Sequence, residues 1–236
     1  MAAMPHPETY EEEYRFWPWG ELVERAAMIA AEIAPPRCSV MDYMCATGFL
    51  LSRIVARRPD VIPVGCDIHK PFVEYARQTR EALNIVLADA RTYAPLVKSS
   101  VILCTGGLHH LSFNDQREFI EKLAAECSNE AHLIIGEEVI ANHASEADRV
   151  AAAVDLNCDL LQLGLNKGWP SELFHAAVDL VRADVRLNGE YKRDLPGWLS
   201  IISIHFDVVK IIRTWDAPSG GGDVLLVCRS RASEDQ

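Results

Sequence analysis

The chain has 236 residues, 49% of them hydrophobic, and a formal net charge of -11 at pH 7 from 23 Lys+Arg against 34 Asp+Glu. That length and apolar content suffice for one α/β domain carrying insertions and fall short of two ordinary domains. The negative excess repels phosphate backbones and anionic lipid, so neither nucleic acid nor a membrane is an expected partner.

The cysteines at 38, 45, 66, 104, 127, 158 and 228 are odd in number, form no Cys-x-x-Cys pair and have mostly apolar neighbours. They read as small buried thiols in a reducing compartment. The first residues carry acids at Glu8 and Glu11 to Glu13 and no basic segment before an apolar stretch, so no secretory signal is expected. No run approaches the roughly 18 apolar residues needed to span a bilayer. A cytoplasmic protein is the simplest expectation.

In chain order, residues 1 to 18 are acidic and aromatic, and Leu22, Ala26, Ile29 and Ile33 then recur at helical spacing until Pro35-Pro36. Ser39 to Asp42 reads as a first strand, and Gly48 opens a helix with Leu51, Ile54 and Val55 inward. Val61 to Cys66 is a second strand, followed by a helix with Pro71 in its first turn. Ile85 to Ala88, Val101 to Cys104 and His132 to Gly136 complete five strands, the last preceded by a helix bearing Phe119, Ile120, Leu123 and Cys127. Alternation of this kind implies right-handed crossovers and a mostly parallel, doubly wound sheet covered on both faces.

The alternation stops at residue 141. Residues 141 to 195 read as a helical insertion, one helix from about Ser145 to Leu163 and one capped by Ser171. Phe206 to Trp215 and Asp223 to Arg229, separated by Ala217-Pro218-Ser219-Gly220-Gly221-Gly222, form an antiparallel hairpin that closes a seven-stranded α/β sheet. The organisation expected is an aromatic lid and helix over 1–36, a cofactor-binding core over 37–140, a helical substrate cap over 141–195, and a closing helix and hairpin over 196–236.

Chemistry is expected where small-residue loops meet the carboxyl ends of the strands. Val40-Met41-Asp42-Tyr43-Met44-Cys45-Ala46-Thr47-Gly48 is a strand, an acid, a loop and a helix start, and Asp67 and Asp89 end the next two strands. Acids at three consecutive strand ends suit a ligand with a ribose, a base and a cationic part. A dinucleotide fits less well, because its pyrophosphate calls for Gly-x-Gly-x-x-Gly and this loop has a single glycine.

The set resembles the class I S-adenosylmethionine-dependent methyltransferases. The segment from Val40 to Gly48 is similar to their first motif, Gly65-Cys66-Asp67-Ile68 to the second, Leu87-Ala88-Asp89-Ala90 to the third, and Gly106-Gly107-Leu108-His109-His110-Leu111 to the Leu-His-His stretch after strand four. The resemblance spans about residues 38 to 140. It implies S-adenosyl-L-methionine as cofactor, with Asp42 and the backbone of Met44, Ala46 and Gly48 on its methionine part. Asp67 would take the ribose hydroxyls, Ile68 one adenine face, Asp89 and Ala90 the adenine edge, and Thr105 would complete the cofactor set. Met44 and Ala46 stand where the family usually has glycine.

The expected reaction is methyl transfer to an oxygen, nitrogen or carbon of a small molecule, with His109 or His110 as base. Tyr10, Tyr14 and Trp17, with Trp169 and Tyr191, are expected to wall the substrate pocket, joined by Trp198, and Glu138 to contact a substrate amine. No metal is expected, since only the adjacent His109-His110 approach ligand spacing. Two rivals share the fold: closure of the cofactor's own aminobutyrate chain with release of methylthioadenosine, and a non-catalytic cofactor-binding scaffold. The chain is expected to act alone or as a homodimer.

Overall fold

The computed structural model describes residues 6–231, so the tail after Arg231 and the first residues of the lid segment lie outside the described residues. A seven-stranded sheet in the order β3-β2-β1-β4-β5-β7-β6 forms the centre. Its strands are β1 (Ser39–Tyr43), β2 (Ile62–Asp67), β3 (Asn84–Leu87), β4 (Ser99–Thr105), β5 (Cys127–Val139), β6 (Phe206–Asp216) and β7 (Gly222–Ser230). All neighbouring pairs from β3 to β5 are parallel, and β7 runs antiparallel between β5 and β6.

Helices cover both faces, which is why β1 and β4 are nearly continuous apolar runs instead of alternating ones. One core packs Leu22, Ala26, Leu51, Ile54 and Val73 of α2 (Trp19–Ile33), α3 (Phe49–Arg57) and α4 (Lys70–Thr79) on Val40, Leu103 and Ile134. The other packs Phe119 and Leu123 of α5 (Phe113–Glu126) and Trp198 and Ile202 of α8 (Leu195–Ile202) on Met41, Ile102 and Ile135. Trp198, fully buried there, takes no part in an aromatic wall.

Local chemistry sets the helix ends. Ser112 and Ser145 accept hydrogen bonds from Asp115 N and Asp148 N, capping α5 and α6 (Glu146–Lys167), and Gly168 closes α6 at φ 65°. The second cap helix, α7 (Ser171–Arg186), has Pro170 at its N-cap, so Ser171 is its first helical residue and not the cap.

The structure departs from the sequence reading in two further places. Residues Pro7–Phe16 form a helix, α1, whose amphipathic pattern is masked by its acids. Strand β5 begins at Cys127 instead of His132, because Cys127 pairs with Ser99 of β4 before a register shift, after which His132 pairs with Val101. The ends of the α6–α7 cap are pinned together: Ile140 N donates to Arg193 O at 3.1 Å, and Ile140 bridges Asp194. Among the described residues no helix is long and apolar enough to cross a membrane.

Candidate functional site

The strand order reverses between β1 and β4, which opens a crevice at the carboxyl ends of the strands. The loop from β1 to α3 lines it. Met44, Ala46 and Gly48 all take left-handed backbone conformations, with φ of 57°, 46° and 74°. For an L-residue this costs about 1–2 kcal/mol, so the chain retains at two positions a shape that glycine would adopt freely. The shape turns the loop around Asp67: Ala46 N donates to Asp67 Oδ2 at 2.8 Å and His69 N to Oδ1 at 2.7 Å.

Beside Asp67 lies Asp42, buried on β1, whose Oδ1 has no hydrogen-bond partner. Burial first, and the charge of Asp67 second, push its carboxyl well above the usual carboxylate range. The Thr47 hydroxyl is likewise buried without a partner. Unpartnered polar atoms in the wall of a strained loop mark a binding surface more readily than a packing one.

After β4 the chain passes through Thr105, Gly106 and Gly107. A Cβ on Gly106 would stand 2.4 Å from the Trp19 ring and one on Gly107 2.8 Å from Met44 Sδ, so both glycines are required by neighbours from the other side of the crevice. Ile68 is exposed, Ala90 is buried, and Asp89 is held by Arg91, whose Nη2 donates to Oδ2 at 2.6 Å. The Arg91 guanidinium lowers the Asp89 pKa.

Leu108–His110, which follows β4, forms a 3-10 turn packed against Glu137 of β5. Glu137 grips it twice: Oε1 accepts from Leu108 N at 2.8 Å and Oε2 lies 2.6 Å from His109 Nδ1. His109 Nε2 is 3.7 Å from Glu190, and His110 Nδ1 is 3.2 Å from the same carboxylate. Burial alone would push His109 down; the charges of Glu137 and Glu190 overcome it and push it up to about 9. His109 is therefore an imidazolium at neutral pH. His110 is the more open ring, with 43% of its side chain exposed.

Lys192 is fully buried and its Nζ lies 2.8 Å from Asp184, 2.8 Å from Glu190 and 3.3 Å from Glu138. Glu138 faces Asp223 across the β5/β7 ladder. Burial first, then Glu138, pushes Asp223 well above the carboxylate range. Ligand atoms of His109, His110 and Glu190 lie within 4.8 Å of one another, yet Glu190 is already neutralised by Lys192 and His109, which makes the cluster an ion-pair network.

Helix α1 packs beside the crevice. Tyr14 stacks on Phe49 at 4.5 Å and Tyr10 lies 4.8 Å from Phe72, so both sit on the α3 and α4 side, over the loop. Trp17 stacks on Trp169 at 6.1 Å on the cap side. The Tyr191 ring packs edge-on against Phe113, and its N–H donates to His109 O at 2.7 Å. Sequence reading missed Glu13, Asp184, Glu190, Lys192 and Asp223. The charges flanking Tyr191 in Gly189-Glu190-Tyr191-Lys192 were the available signal, but only packing shows that they are buried.

Residues 40–130 match the family model of a methyltransferase domain. The whole fold superimposes on the N-methyltransferase NodS from Bradyrhizobium japonicum WM9 in complex with S-adenosyl-l-homocysteine, at a TM-score of 0.62 and 11% identity, covering 97% of this chain and 100% of that one. Residues 40–130 thus carry a methyltransferase domain, on a fold shared with a methyltransferase that binds S-adenosyl-l-homocysteine. The methyltransferase also superimposes on magnesium protoporphyrin IX methyltransferase (ChlM) from Synechocystis PCC 6803 with bound SAH, at a TM-score of 0.60 and 15% identity over 90% of this chain and 83% of that one. The cyclopropane synthase MmaA2 from Mycobacterium tuberculosis is similar too, at a TM-score of 0.58 and 14% identity over 80% of this chain and 62% of that one. No curated protein matches the sequence.

Proposed function

We propose that this methyltransferase moves the methyl group of S-adenosyl-L-methionine to a small organic acceptor. The observation that carries the reading is the loop at Met44–Gly48, wound left-handed around Asp67 beside an unpartnered, buried Asp42. These residues fit the cofactor: Asp42 and the loop backbone would hold its methionine end, Asp67 its ribose, Ile68, Asp89 and Ala90 its adenine, with Thr105 beside them. When bound, the cofactor supplies a methyl carbon made electrophilic by the positive sulfur. The chain's own part is to align the acceptor, exclude water under α1 and handle one proton.

His109, held as a cation, is unsuited to accept that proton, so the task falls to His110 or to the neighbouring carboxylates. The acidic surface and the enclosing cap favour a small molecule over nucleic acid. A reducing, cytoplasmic setting suits the free thiols, Cys158 among them exposed.

Asp67→Asn tests the cofactor site, because it keeps the size of the side chain while removing the charge that strengthens a ribose hydrogen bond. Calorimetric titration with S-adenosylhomocysteine is expected to show a loss of roughly 1.5–3 kcal/mol; unchanged affinity would remove Asp67 from the site. The same preparation given S-adenosylmethionine alone is expected to release little methylthioadenosine, and rapid release above the protein-free control would favour intramolecular attack over methyl transfer.

A further inference from the structure

The mouth of the crevice on the cap side has its own chemistry. On the sheet, Glu138, Asp223 and Trp215 are consecutive register partners across β5, β7 and β6, so their side chains share one face. Beside it, Glu13 lies in the last turn of α1, and Trp17, the residue that ends the helix, donates its backbone N–H to Glu13 O at 2.8 Å. The two rows meet, since Trp17 and Trp215 both pack on the aromatic cluster around Trp169, and the charge of Glu138 reaches Glu13.

Three carboxylates are thus gathered within an indole-walled corner. Glu13 is 9% exposed and Asp223 2%. Burial and then Glu138 push Glu13 up to about 8, and among the described residues no cation lowers it. Lys192, which touches Glu138, is shared with Asp184 and Glu190, and His109, whose charge acts on Asp223, is already held by Glu137 and Glu190. Burial thus holds Glu13 and Asp223 in the acid form, and a cation seated among them would favour their ionised form. The indole N–H groups of Trp17 and Trp169 are also buried without partners and offer donors to an oxygen on the same visitor. Indole faces add attraction for a cation.

We infer that the acceptor is an amine that enters as an ammonium ion and also bears an oxygen, seated between Glu13, Glu138 and Asp223 against Trp17 and Trp215. The inference rests on the methyl-transfer reading above and narrows it to N-methylation. Seating of the ammonium releases the Glu13 proton to solvent, and the carboxylate so formed takes a proton from the nitrogen. The freed nitrogen lone pair then forms the bond to the methyl carbon as the carbon–sulfur bond breaks, with that electron pair remaining on sulfur. The products are an N-methylammonium ion and S-adenosylhomocysteine. Glu138 and Asp223 stabilise the positive nitrogen before and after transfer.

Choline and 3,3-dimethylbutan-1-ol are a matched pair of cation and neutral isostere, each with a hydroxyl, and neither needs to be the natural acceptor. Titrated into protein saturated with S-adenosylhomocysteine, choline is expected to bind at least about tenfold more tightly. The preference is expected to fall towards unity in Asp223→Asn and Glu138→Gln, with S-adenosylhomocysteine affinity serving as the check that each variant is folded. Glu13→Gln, on the lid instead of the sheet, gives the same readout without touching the Lys192 network. No preference for choline in the unmodified protein, or a preference that survives all three substitutions, overturns the inference while leaving methyl transfer standing. Failure of the protein to bind S-adenosylhomocysteine would sink the methyl-transfer reading and this inference with it.

Discussion

His109 shows how a single side chain is assigned by its neighbours. In sequence it is one of two adjacent histidines with equal claim to be the base; in the structure Glu137 and Glu190 convert it to a charged anchor and leave His110 the more open. Its folded pKa, raised to about 9, lies above the unfolded value. The ion pairs therefore contribute stability that is fully present below pH about 6.5 and is lost as pH rises through about 9. Urea unfolding of the protein and of His109→Gln, compared between pH 6 and pH 9.5, is expected to show their stability difference shrinking by on the order of 2–3 kcal/mol. A difference that stays constant with pH would mean that His109 is neutral throughout.

At the scale of elements, the lid depends on one corner. Trp17 and Pro18 separate α1 from α2, and Gly20 lets the helices cross, because a Cβ there would lie 1.9 Å from Tyr14 O. Arg80 fastens the far side of the lid, donating to Glu11 at 2.7 Å and to Thr47 O at 3.1 Å. Gly20→Val is therefore expected to swing α1 off the crevice while the sheet stays folded. Hydrogen exchange should quicken across Pro7–Phe16 and remain slow in β1 and β4. Slow exchange throughout α1 would show that its seat does not depend on the corner. The aromatic residues of the lid thereby divide into Tyr10 and Tyr14 over the loop, and Trp17 against the cap.

For the whole molecule, Lys192 is the point at which cap and sheet meet. Its ammonium joins Asp184 at the end of α7 to Glu138 at the end of β5, with Glu190 between them in the return loop. Gln116 secures the same loop, donating to Leu108 O and Tyr191 O and accepting from Arg193 Nε at 2.5 Å. Lys192→Met leaves buried carboxylates facing one another and is expected to destabilise the protein by about 3–5 kcal/mol, read from chemical denaturation. A loss below about 1 kcal/mol is the value of an exposed pair and would mean that water reaches the network.

The alternation of strands and helices was legible in the sequence because a sheet covered on both faces needs apolar strands, and apolar strands between turn residues are a local signal. Asp42 and Asp67 were legible for a similar reason: strand ends and the loop between them fix where an acid must stand. The hairpin followed from its glycine-rich turn, whereas the left-handed backbone of Met44 and Ala46, at φ 57° and 46°, shows only in the structure. What no local pattern carries is the company a charge keeps. Glu13, Asp184, Glu190, Lys192 and Asp223 lie on separate elements or at their ends, and as a sequence each is an ordinary surface residue. Only the packing of lid, sheet and cap removes water from them, and desolvation turns scattered charges into a buried network and an acid-lined corner.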